Sequence, residues 1–75
     1  MTKYFFHVRT DTEFYEDPEG SEFDNLDAAR AAALVSAKEL FGEKLRAGEV
    51  PDESQFEICD EAGYMLDVVP FKNAV

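Results

Sequence analysis

Residues 26–48, LDAARAAALVSAKELFGEKLRAG, carry the long helical pattern of this chain, and that one helix limits what the rest can build. Alanine is the best helix former, and Leu, Lys and Glu follow closely. At about 100° per residue, Leu26, Ala29, Ala33, Ala37, Leu40 and Phe41 gather on one side, with Leu34 and Leu45 at its margin. The front half of the stripe is mostly alanine, so the helix can lie close on a surface lined by larger side chains. Asn25 is the expected N-cap; Asp24 competes, with Asp27 three residues on as in a capping box. Gly42 costs up to ~1 kcal/mol relative to alanine and marks a place to end or bend. Lys44, Leu45 and Arg46 favour continuation to a Gly48 C-cap, with basic residues where the helix dipole suits them.

The flanking segments read as strands. In KYFFHVRT, aromatic and β-branched residues alternate with period two. Tyr4, Phe6 and Val8 should face the core, and Phe5, His7 and Arg9 the opposite side. A turn at TDT leads to a second, shorter strand over residues 13–17. DPEG closes it, because Pro18 lacks an N–H and Gly20 can take positive φ. SEF then brings Phe23 toward the core. Residues 49–54 are a connecting loop. QFEICD alternates, with Phe56 and Ile58 on one face, and DEAG turns the chain into YMLDVVPF. There Leu66 and Val68 are expected inward, and Met65, Val69 and Phe71 on the other side. Pro70 marks an edge or the strand end, and KNAV a frayed tail. The expected fold is α+β, in the order β-β-α-β-β: an antiparallel four-stranded sheet with one helix packed on one face.

The 75 residues make a single small domain, 1–75. A chain this size buries only about 60% of its unfolded surface, and many such chains add disulfides, metals or oligomers. Cys59 is the only cysteine, which excludes an intrachain disulfide; one Cys and one His cannot close a structural zinc site. Self-association is the remaining device. A free thiol fits a reducing compartment. The start MTKYFFHVRT lacks the pattern of a signal peptide, and no stretch approaches the ~20 apolar residues of a membrane span. The expected location is the cytoplasm. With 17 acidic and 7 basic residues the net charge is −10, which opposes contact with nucleic-acid phosphates or anionic membranes. The charge serves solubility or docks a basic partner.

YFFHVR at the start, then DPEGSEF, LDAARAAAL and FEICDEAGYMLDVVPF together resemble a group of short bacterial proteins classed as a domain of unknown function. The resemblance covers nearly the whole chain and implies no activity. A looser, topological resemblance is to the fold of HicB-type antitoxins, which also place a strand pair, a Gly-containing turn and an Ala-rich helix in this order. DNLDAA stands here where those proteins carry a different helix start, and an appended DNA-binding segment is not expected.

No constellation points to catalysis. His7 with Asp60, Asp67 or Cys59 has no supporting spacing, and Asp60 and Glu61 oppose a reactive thiolate at Cys59. The carboxylates of DTEFYEDPEGSE lack the alternation of a calcium loop. No phosphate loop, Ser-His-Asp order or Cys-x-x-Cys occurs. No enzyme activity, catalytic residue, cofactor or metal is therefore expected. One helix covers one sheet face, which leaves Phe5, His7, Met65, Val69 and Phe71 as the expected interface, with the outward side of the helix around Val35 as a second choice. The expected function is a non-catalytic protein-interaction or homo-oligomerisation module, working as a homodimer or on a protein partner. The alternative is an antitoxin-like component that captures a small basic protein.

Overall fold

A computed structural model describes residues 1–48 and 53–74. Of the connecting loop expected at residues 49–54, residues 49–52 lie outside that description, as does Val75 of the expected tail. Strand β1 (Thr2–Arg9) is followed by the short β2 (Phe14–Tyr15) and β3 (Ser21–Phe23). Helix α1 (Leu26–Arg46) comes next, then β4 (Gln55–Cys59), β5 (Met65–Pro70) and a 3₁₀ turn at Phe71–Ala74. The fold is α+β. The sheet is antiparallel in the order β2-β1-β4-β5, with β3 also on β1. Helix α1 packs on β4, β5 and the 3₁₀ turn.

The helix starts where its cap chemistry puts it. Asn25 is extended at φ −161°, and its side-chain oxygen accepts from Ala28 N–H at 2.9 Å. Ala47 closes the other end, and Gly48 follows at φ +77°, its N–H donating to Leu45 carbonyl at 3.1 Å. Ala29, Ala33 and Ala37 have no exposed surface and lie against Tyr4, Phe56, Ile58, Val69 and Phe71. Leu40, expected on this stripe, is 38% exposed and Leu45 51%. The cause is length. A helix of 21 residues spans about 31 Å, whereas strands of five or six residues span about 20 Å, so the distal turns run past the sheet.

β1 and β4 face as the alternation predicts. Tyr4, Phe6, Val8, Phe56 and Ile58 all turn to the helix side, and Phe6, Phe23, Phe56 and Phe71 pack ring on ring at 5.0–6.0 Å. Such pairs add about 0.5–1.5 kcal/mol beyond the area they bury. β5 departs from expectation by one residue. Val69 is fully buried beside Phe56, its cross-strand partner, and Phe71 is 4% exposed in the same core. Leu66 is 42% exposed, and Val68 pairs with Glu57 on the far side. The inward set is thus Asp67, Val69 and Phe71. Asp67 tolerates that side because Arg30 of α1 reaches it at 2.6 Å. The tail is not frayed through residue 74: Phe71 N–H donates to Ser54 carbonyl at 3.0 Å and opens the 3₁₀ turn.

Candidate functional site

Helix α1 covers one side of the sheet, and among the described residues no element covers the other. Cross-strand pairing orders that face in rows: Phe14, Arg9, Gln55 and Pro70; His7, Glu57 and Val68; Phe5, Cys59 and Met65. Residues directly opposite share a face and touch. Phe5 stacks on His7 at 6.3 Å, and His7 meets Phe14 at 5.4 Å with the rings tilted by 55°. The Arg9 guanidinium lies 4.5 Å from the Phe14 ring centre, and its Nε donates to Glu57 Oε2 at 2.6 Å. Arg9 is therefore held between a carboxylate and an aromatic ring, with half of its side chain exposed. That hydrogen bond keeps the Glu57 carboxyl below its usual range, with help from Gln55 and against the effect of burial.

Of the interface residues expected from sequence, Phe5 and His7 lie half-buried on this face, and Met65 is 57% exposed in register with Cys59. Val69 and Phe71 do not belong to it. They fill the core on the helix side, for the reason given by Asp67 and Arg30. The face is consequently less greasy than a one-residue shift of β5 would have made it. Sequence reasoning left out Phe14, Val68 and Glu57. Phe14 follows from its pairing with Arg9, a register that TDT alone did not reveal.

Each edge of the sheet carries a feature that discourages further strands, and at one of them the edge strands β2 and β3 are only two and three residues long. β2 and β3 lie against β1, and between their pairings, Val8 with Tyr15 and Tyr4 with Ser21, the register moves by two residues. The excursion at 16–20 absorbs them. Asp17 fills the gap, its Oδ2 accepting from Phe6 N–H at 3.1 Å. The same carboxylate accepts from Glu19 and Gly20 N–H at 3.2 Å, and Asp17 N–H donates to His7 Nδ1 at 2.9 Å. Burial pushes the Asp17 carboxyl up, but the N–H groups of Phe6, Gly20 and Glu19 and the nearby His7 outweigh it, so the net shift is downward.

At the opposite edge the ladder phase decides. Phe6 points its N–H away from β4, so alternation turns the backbone of Val68 and Pro70 in β5 outward. Asp67 Oδ1 accepts from Val68 N–H at 2.8 Å, and Pro70 has no N–H. These are the devices by which edge strands avoid pairing.

At one end of the open face lies a shallow cleft of about 290 Å³. Phe5 and His7 form its floor; Glu16, Asp17 and Pro18 border one side, and Asp60, Glu61 and Gly63 the other. Asp60 shapes its side of the cleft, with Oδ1 accepting from Ala62 and Tyr64 N–H at 2.9 Å. Cys59 is buried next to the cleft, and burial, Glu57 and Asp60 all push its thiol up, away from the reactive thiolate. Among the described residues no group of His, Cys, Asp and Glu is placed to hold a metal ion, and no helix is long and apolar enough to cross a membrane.

A family model described as "Domain of unknown function (DUF6894)" matches residues 3–72. No curated protein and no solved structure matches the chain.

Proposed function

We propose, from the premise that the chain belongs to this family of unknown function, that it is a non-catalytic protein-interaction module which associates with a second copy through the uncovered sheet face. The observation that carries this reading is the open face itself. Among the described residues no element lies over Phe5, His7, Phe14 and Val68, while short strands at one edge and a carboxylate and a proline at the other discourage edge pairing. Face-to-face packing is the association these edges leave open. The patch spans four strands about 4.8 Å apart, which is small against specific interfaces. The dimer is therefore weak and concentration-dependent. The protonated thiol of Cys59 and the engaged Nδ1 of His7 accord with a non-catalytic role.

Sedimentation equilibrium over a concentration series tests it. The wild type should shift from monomer to dimer, and Phe5→Glu should remain monomeric with unchanged circular dichroism. Val68→Lys, which meets Glu57 across the strand, serves if Phe5→Glu fails to fold. A wild type that stays monomeric at millimolar concentration removes the reading. The acid-bordered cleft favours a second reading, capture of a basic protein in the manner of an antitoxin component. A partner recovered at low salt and lost at moderate salt would support that one.

A further inference from the structure

The open face is electrically divided along its strands. Arg9, braced by Phe14 and Glu57, stands at one end. The cleft with Glu16, Asp17, Asp60 and Glu61 around an aromatic floor occupies the other. We infer that this cleft is the receptor for the Arg9 guanidinium of a second copy, so that the two sheets pack face to face with strands reversed. The inference rests on self-association through this face.

With the strands of the two copies kept aligned, two-fold symmetry permits two ways to bring one sheet face onto its copy. With the axis along the strands, like rows meet, and the acidic cleft of one copy faces that of the other. With the axis across the strands and over the row of His7, Glu57 and Val68, position 9 of one copy meets position 5 of the other. Only the second joins opposite charges, and like charges brought together across an interface are strongly unfavourable. The receptor also has the chemistry a guanidinium needs. A flat cation stacks on the Phe5 ring while carboxylates at the border accept from its outward N–H groups. Arg9 is suited to the opposite role, because its planar head is already immobilised and little ordering is lost on docking. Each protomer gives one arginine and one cleft, so the contact closes on itself and leaves no open end.

The test separates orientation from association. Glu61→Lys should weaken the wild-type dimer about tenfold in sedimentation. Glu39→Lys makes the same change of net charge on the exposed side of the helix and should not weaken it. A spin label on Ala62→Cys, mixed with unlabelled ¹⁵N protein, should broaden the amides of Arg9, Phe14 and Gln55 in the partner. Broadening at Phe5 and Gly63 of the partner instead, or equal effects of the two lysine variants, overturns the reversed arrangement while leaving the dimer standing. A monomer under all conditions overturns both. A monomer that binds a hexa-arginine peptide at the cleft overturns the second copy as occupant and gives the site to a basic partner.

Discussion

The backbone N–H of Asp17 donates to His7 Nδ1, while the Asp17 carboxylate takes the N–H of Phe6, the next residue back along β1. One acidic residue thus supplies a missing rung of the sheet edge and orients the imidazole at the centre of the open face. Asp17→Ala leaves the part-buried Phe6 N–H and the turn donors of Glu19 and Gly20 without their acceptor. An orphaned donor costs about 1–3 kcal/mol, and urea unfolding should show a loss of that order. Asp17→Asn keeps one acceptor oxygen and should lose less.

Acid should weaken the fold through the same carboxylates. Asp17 and Glu57 are both shifted below their ordinary values of 3.8 and 4.5 in the folded chain. A depressed folded pKa means stability that is present above the unfolded pKa and lost as pH falls through the folded one. Melting temperature should therefore hold down to about pH 5 and decline below it. In the Asp17→Asn variant part of that decline should vanish, because one of the two groups no longer titrates.

Gly20 and Gly63 both have positive φ, at +71° and +90°, but differ in surroundings. A Cβ at Gly20 would sit 3.0 Å from Tyr4 carbonyl, Phe5 Cε2 and Lys3 Cγ, whereas at Gly63 it would meet open space. Gly63→Ala should cost only the backbone strain, about 1–2 kcal/mol. Gly20→Ala adds a clash with backbone and should cost clearly more, with β3 detaching from β1. Hydrogen exchange at Thr2–Tyr4 reports the detachment.

Asp67 serves two partners, Arg30 on the helix and Val68 N–H at the sheet edge. The ion pair is partly exposed and contributes at most about 1 kcal/mol. Asp67→Ala should thus destabilise only modestly, yet it frees an edge donor. Light scattering on warming should show aggregation that the wild type resists at equal stability.

Much of this was legible in the residues. The alanine stripe, the Asn25 cap and the two faces of β1 and β4 follow from periodicity and cap chemistry, which are local. β5 was not legible, because MLDVVP alternates plausibly in either phase and apolarity favours Leu66 with Val68. The deciding contact joins Arg30 to Asp67, far apart in sequence. A cation beside the alanine stripe was the available hint, since such a group needs an anion on the sheet. DPEG reads as a turn, and nothing in it announces that Asp17 completes a strand ladder. The third strand, Ser21–Phe23, is too short to show a period.

The most direct measurement is a concentration series of ¹⁵N-edited spectra on the wild-type protein. The uncovered face as the association surface predicts shift changes at Phe5, His7, Arg9, Glu57 and Val68, with the exposed helix positions Val35 and Leu40 unmoved. Changes centred on Val35 and Leu40, or none up to millimolar concentration, would contradict it.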